Sequence, residues 1–282
     1  MKAGSERGGW RPLGMGLAAG LALLLLGLLA GLLYARMARQ EAPAPIPPMA
    51  VSQSLAQGVA WIWPDSNGPS PAAGEAASYS QAAVLVESLV FRGSGVERGG
   101  RRQPLALSAG ARFIPVIHVE AGASAPDEFT PVQQQAVLAA VRRQAHAAEA
   151  GGGLLQLDFE APARQRDAYR ALVAAVREAL PPGVRLSITA LAHWCAQGDW
   201  LDRLPVDEVV PMLYRLGPQA ADWRRRFAQG DPGLARRCRG DALGFATNDP
   251  PSAALLDRAT RAYWFDEAAW SNPSRPPRHP LS

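Results

Sequence analysis

Between residues 55 and 270 the chain alternates short apolar runs with amphipathic stretches, and this pattern admits few folds other than a parallel sheet wrapped by helices. The runs 58–63, 82–91, 112–119, 154–160, 185–192, 208–214, 242–247 and 261–265 read as strands. Thr130, followed by Pro131 and by Gln133 three positions on, is the signature of a capping box. The helix it opens sets Val137, Val141, Ala145 and Ala148 on one stripe and ends before Gly151. A second helix, about 166–180, lines up Tyr169, Leu172, Val173, Val176 and Leu180, and Pro181 with Gly183 stops it. Shorter pieces follow: Asp199 caps 200–204, Trp223 and Phe227 lie four apart, and Ser252 caps the segment holding Leu255 and Leu256.

Eight strands with helices between them in about 215 residues predict an α/β fold, a (β/α)8 TIM-like barrel. The links joining the first three strands are rich in Gly, Ser and Pro and carry no helical pattern. A barrel degraded in its first third, or an open doubly wound sheet, therefore stays among the alternatives.

Ahead of this body, residues 12–34 run 23 positions without a charge, about 34 Å of helix, enough to cross a bilayer core of roughly 30 Å. The reading is one transmembrane helix acting as an uncleaved signal anchor, with a short basic tail at 1–11 inside and the body outside the cytoplasm, in the periplasm. A cleaved signal peptide competes, with Ala35 and Ala38 as cleavage candidates. Basic residues flank the segment on both sides, so charge asymmetry decides orientation only weakly. Pro43, Pro45, Pro47 and Pro48 make 35–54 a stiff spacer, 55–270 is the barrel domain, and 271–282 is a Pro-rich tail expected to be disordered.

The net charge of +4 resides at the amino end, where Lys2, Arg7, Arg11, Arg36 and Arg39 face only Glu6 within the first forty residues. The rest is neutral, so a nucleic-acid partner is not expected. No GxGxxG, GxxxxGK[ST] or GxSxG occurs, and no cofactor is expected. His118, His146, His193 and His279 lack paired metal-ligand spacing; His118 with Asp158 and Glu160 is the one set that could hold a divalent ion, and no metal is expected.

The strand at 154–160 carries the chemistry. Alternation sends Leu155, Leu157 and Phe159 to one face and Gln156, Asp158 and Glu160 to the other. If the apolar face meets the helices, the three polar residues point into the barrel and climb toward its carboxyl-terminal mouth, where such folds hold their sites. Two acids one residue apart suit paired-carboxylate hydrolysis, and their proximity raises one pKa and makes a proton donor. The competing reading has both acids capping a helix or pairing with Arg164 or Arg166 at the rim. Trp61, Trp63, His118, Trp194, Met212, Tyr214, Asn248 and Trp264 fall at other strand ends, where aromatic and polar groups could receive a sugar. Topology opposes pairing of Cys195, which follows the fifth strand at the mouth, with Cys238, which precedes the seventh at the opposite end, unless the loop around Cys238 folds over.

The segment LLQLDFEAPARQRDAYRALVAAVREALPPGVRLSITALAHWCAQGDWLDRLPVDEVVPMLYRLG, with PVIH at 115–118 and GFATNDP at 244–250, resembles the bacterial family called domain of unknown function 3142 over roughly residues 55–268. That resemblance implies a barrel related to glycoside hydrolases without supplying a reaction. A more distant likeness is to chitinase-type hydrolases, whose fourth strand reads DGxDxDxE. The last two acids fall on Glu160 and Asp158, while the earlier two aspartates fall on Gln156 and Gly153, which removes much of that group's charge network. Met212 and Tyr214 resemble its substrate-binding pair, and Trp264 its floor. The resemblance implies that Glu160 protonates a glycosidic oxygen while Asp158 orients a substrate N-acetyl group.

Three readings follow: a membrane-anchored envelope hydrolase acting on polysaccharide, a non-catalytic carbohydrate-binding barrel, and a structural or interaction protein of the envelope. Carbohydrate and, through residues 12–34, a membrane are the expected partners.

Overall fold

The computed structural model describes residues 53–54, 56–63, 79–101, 107, 110–122, 125–240 and 242–266. The expected membrane segment, the linker apart from Gln53 and Ser54, and the tail lie outside them. Among the described residues no helix is long and apolar enough to cross a membrane.

Eight parallel strands close into a barrel: β1 (Val59–Ile62), β2 (Gln81–Arg92), β4 (Arg112–Ala121), β5 (Leu154–Phe159), β6 (Arg185–Leu191), β7 (Glu208–Met212), β8 (Ala242–Ala246) and β9 (Arg261–Phe265). Closure comes from β1, which pairs in parallel with β9 (Val59 opposite Tyr263) and with β2 (Val59 opposite Gln81). That double pairing excludes the open sheet. β1 is only four residues long, so the upper half of β2 outruns it. Its vacated edge is taken by the antiparallel strand β3 (Gly95–Gly100), which pairs with Glu87 to Arg92. The first third thus departs from the repeat: among the described residues the β2–β4 connection carries a strand rather than a helix. The sequence pattern missed β3 because GVERGG has no apolar alternation and is largely exposed.

Helix α1 (Pro131–Ala150) opens with the expected capping box: Thr130 Oγ1 accepts from Gln133 N at 3.3 Å, and Gln133 Oε1 accepts from Thr130 N at 2.9 Å. Gln133 Nε2 also donates to the Gly93 carbonyl at 2.8 Å, tying the helix start to the β2–β3 turn. Helix α2 (Arg166–Ala179) buries Tyr169, Leu172, Val173 and Val176, and helix α3 (Ala220–Gln229) buries Phe227. A last turn, α4 (Ala253–Leu256), is capped by Ser252. Leu155, Leu157 and Phe159 join α1 and α2 in one outer core, as period-two alternation requires when one face meets helices.

The inner core is smaller and includes Val59, Trp61, Ile114, Val116, Val210, Met212, Tyr263 and Phe265. Trp61 fills the centre, and Gly244 on β8 makes room for it. A β-carbon at Gly244 would sit 2.6 Å from the Trp61 ring and 3.3 Å from the Pro211 carbonyl. The ring is 1% exposed and has nowhere to move. Gly244→Ala is therefore expected to cost about 1–3 kcal/mol through overpacking. A thermal melt would register this as a fall of about 2–4 °C per kcal/mol for a body of this size, and an unchanged melt would show that the centre is not packed this way.

Candidate functional site

Three polar side chains in a row on a barrel strand need partners, and each finds them inside. Gln156 lies lowest: its Oε1 accepts from Trp61 Nε1 at 2.7 Å, and its Nε2 donates to Ser187 Oγ at 3.1 Å. Ser187 donates in turn to Glu208 at 2.7 Å, which also accepts from Tyr263 OH at 2.6 Å and pairs with Arg261 at 3.2 Å. This network spans non-neighbouring strands and satisfies the buried groups of the lower barrel, as burial demands. Gln156 and Trp61 are 0% and 1% exposed, so the structure corrects their expected place in an open mouth to the packed layer beneath it.

Asp158, two residues higher, is 4% exposed and has both oxygens engaged. Oδ1 accepts from Thr189 Oγ1 at 2.6 Å, and Oδ2 lies 2.7 Å from His118 Nδ1. Burial would raise this carboxyl, but the charge and hydrogen bond of His118, with the Thr189 hydroxyl, outweigh it and hold Asp158 below the usual carboxylate range. Burial likewise opposes charge on His118, yet Asp158, helped by Glu160 and Glu120, raises the imidazole above its ordinary value. An ionised Asp158 places the His118 proton on Nδ1 and leaves Nε2 as the ring's second nitrogen.

Glu160 follows β5 by one residue. The residue is exposed, yet the protein around its carboxyl still desolvates it. That desolvation, then the charge of Asp158, pushes it up to about 7; His118 and Arg215 oppose the shift and Glu120 adds to it. A deeply held anion thus stands behind a carboxyl that keeps its proton near neutrality, a division of roles that paired acids acquire from unequal environments.

An arc of aromatic rings completes the mouth. Tyr214 stacks on Phe265 at 5.6 Å, Phe265 meets Trp63 edge-on at 5.5 Å, and Trp63 meets His118 at 6.5 Å. Tyr214 OH donates to Met212 Sδ at 3.2 Å, which places these two side chains together. Trp63, His118, Met212, Tyr214, Asp158 and Glu160 therefore gather at one end of the barrel.

Other expected positions lie elsewhere. Trp264 points outward, packs on Phe245 at 5.4 Å and donates to Ser54 Oγ at 3.3 Å, because in β9 it is the flanking residues Tyr263 and Phe265 that face inward. Trp194 belongs to the outer core, 5.7 Å from Tyr169 and 5.4 Å from Trp200. Both are corrections to a predicted mouth position: a strand end was identified, but not which way the ring turns. Asn248 is exposed in the turn after β8, beside Asp249, which pairs with Arg224 of α3.

Sequence reading missed Thr189, Phe265 and Arg215. Parity from Ser187 finds Thr189, and parity from Tyr263 finds Phe265. Arg215 has a left-handed backbone, φ 53°, a departure that side chains other than glycine adopt rarely and that no residue pattern announced. Among the described residues no cluster of three His, Cys, Asp or Glu side chains is arranged to hold a metal ion.

Cys195 and Cys238 form a disulfide, with Cα atoms 5.9 Å apart, against the expectation from topology. Cys195 lies in the helical turn Ala192–Ala196 directly after β6, and the segment before β8, with its own turn Arg236–Cys238, reaches over to meet it. Ala235 N donates to the Cys195 carbonyl at 2.7 Å, and Asp202 accepts from the backbone of Arg236 and Arg237 at 3.0 and 2.8 Å.

No family model and no curated protein matches the chain. Among solved structures, the Bacillus cereus spore cortex-lytic enzyme SleL is similar at 16% identity and a TM-score of 0.42, over 67% of this chain and 50% of that one. The chain thus spans about half the length of that protein.

Proposed function

We propose that this barrel hydrolyses a glycosidic bond of an envelope polysaccharide, with Glu160 as the general acid. The observation that carries the reading is the pairing at the mouth: Glu160, pushed up to about 7, stands beyond an Asp158 held ionised by His118 and Thr189. A protonated carboxyl can give its proton to a glycosidic oxygen as the bond breaks, and the anion behind it can stabilise the positive charge that develops on the sugar or orient an N-acetyl group on it. Water then adds to the anomeric carbon and returns a proton to Glu160. Trp63 and Tyr214, both half-buried, offer ring surface for sugar rings, and buried Phe265 packs between them. The likeness to domain of unknown function 3142 supplies no reaction, and no family model matches the chain. The distant motif likeness to chitinase-type hydrolases points to the same assignment, with one departure. Where those hydrolases carry a further aspartate, Gln156 is bound to neutral Trp61 and Ser187, so His118 and Thr189 take over the task of fixing Asp158. This replacement favours, as a second reading, a carbohydrate binder on the same scaffold.

Residues 12–34 would anchor the barrel to a membrane with its mouth outside the cytoplasm, and a disulfide suits an oxidising compartment. An alkaline phosphatase fused to the carboxyl end should then be active; activity only from a cytoplasmic reporter would reverse the orientation.

The test of function is turnover of purified protein on a panel of envelope glycans, followed as reducing ends released against pH. Because Glu160 must hold its proton, kcat/KM should decline above pH 7, approaching a tenfold loss per unit. On the acid side it should fall only below the ordinary carboxylate range, where Asp158 finally protonates. Saturable binding without turnover at any pH would leave the binding reading standing.

A further inference from the structure

A cleft of about 400 Å³ lies outside the barrel wall, lined by Arg164, Arg166, Arg170, Arg203, Asp167 and Trp200. Arg164 sits four residues beyond Glu160 in the chain, so the cleft opens beside the mouth rather than at the far end of the barrel. Arg166 and Arg170 are four apart on the first turns of α2 and share a face. Arg203 comes from the helical turn Trp200–Arg203 between β6 and β7.

The four guanidinium groups are not equally neutralised. Arg164 pairs with Asp127, Arg170 with Asp167 and Arg203 with Asp199, all with carboxylates at least 66% exposed. Arg166 contacts neutral groups instead: it bonds the Gln197 amide and lies 4.9 Å over the Trp200 ring. The Trp200 ring beneath it holds the guanidinium in place, and the N–H groups not given to Gln197 remain for an incoming acceptor. Exposed ion pairs are worth about 0–1 kcal/mol, so an incoming anion can compete for the other arginines. Trp200 is 8% exposed, and its indole N–H has no acceptor among the described residues.

We infer that this cleft binds the carboxylate of an acidic sugar unit on a glycan chain leaving the barrel mouth. The planar fork of Arg166 matches a carboxylate bidentately. Asp167 in the wall and Asp199 on Arg203 repel a doubly charged phosphate more than a singly charged carboxylate. The inference rests on the polysaccharide reading for the polymer, and on the arginines alone for the anion.

The test uses the full chain in detergent and titrates trigalacturonate, with maltotriose as the neutral control and inorganic phosphate as competitor, following tryptophan fluorescence and calorimetry. Trigalacturonate should bind saturably and maltotriose at least tenfold more weakly. The double variant Arg166→Gln/Arg203→Gln, at one half-buried and one exposed position, should weaken trigalacturonate at least tenfold at a melting temperature within about 2 °C of the native one, while Glu160→Gln should leave its affinity unaltered. Equal binding of maltotriose, affinity indifferent to the arginine variant, or displacement by equimolar phosphate would each overturn the assignment. Acidic-sugar binding with no turnover of any glycan would sink the hydrolase and keep the cleft; turnover with no acidic-sugar binding would do the reverse.

Discussion

Glu160→Gln should leave a folded barrel that still binds its glycan but has lost about two to four orders of magnitude in turnover, the usual contribution of a positioned general acid. The amide keeps the size of the carboxyl and hydrogen-bonds like it, but has no proton to give. Since Glu160 sits on the rim beyond the strand, its replacement disturbs no packed layer, and the melting temperature should stay put. The decisive comparison is kcat against KM: loss confined to kcat identifies a group that acts in the transition state, whereas loss confined to affinity identifies a binding group. A leaving group that needs no protonation, such as a nitrophenol, should restore much of the rate in the variant. If Glu160→Gln turned over natural and activated substrates as well as the native protein does, Glu160 would not be the acid.

Removing the bond between Cys195 and Cys238 should be the most destabilising change that leaves the mouth untouched. The bridge closes a loop of 43 residues. Chain entropy assigns such a loop about 4 kcal/mol. At about 2–4 °C per kcal/mol for a domain of this size, the double variant Cys195→Ala/Cys238→Ala should melt roughly 8–16 °C lower. Reductant should lower the native protein's melting point comparably and leave the variant's unchanged. The backbone bonds of Ala235, Arg236 and Arg237 survive the substitution, so folding persists with a looser segment ahead of β8. A native melting point indifferent to reductant would show that the two thiols are not joined.

Local chemistry made much of the architecture legible. The Thr130–Gln133 box, the apolar stripe of α2 and the apolar strands with helices between most of them are patterns of neighbours along the chain, and neighbours are what periodicity reports. The inward set Gln156 and Asp158 followed from alternation alone, because a strand has only two faces. Strand ends near the mouth were also found, but the direction of a ring there was not. Trp264 was assigned by position and turns outward, while Phe265, one residue on, takes the inner place.

What the sequence by itself determined is the order of elements and, strand by strand, which residues share a face, since both depend on backbone geometry over a few residues. Tertiary structure alone decided that β1 closes the barrel by pairing with both β2 and β9, that β3 replaces a helix, and that Cys238 reaches Cys195. It also decided what Asp158 faces: His118 is forty residues away in the chain and Thr189 thirty-one, and both meet it only because β4, β5 and β6 are neighbours in the closed sheet. The charge state of Glu160 belongs to the same class, because desolvation and the field of Asp158, His118 and Arg215 are set by distances through space, which a linear sequence does not contain.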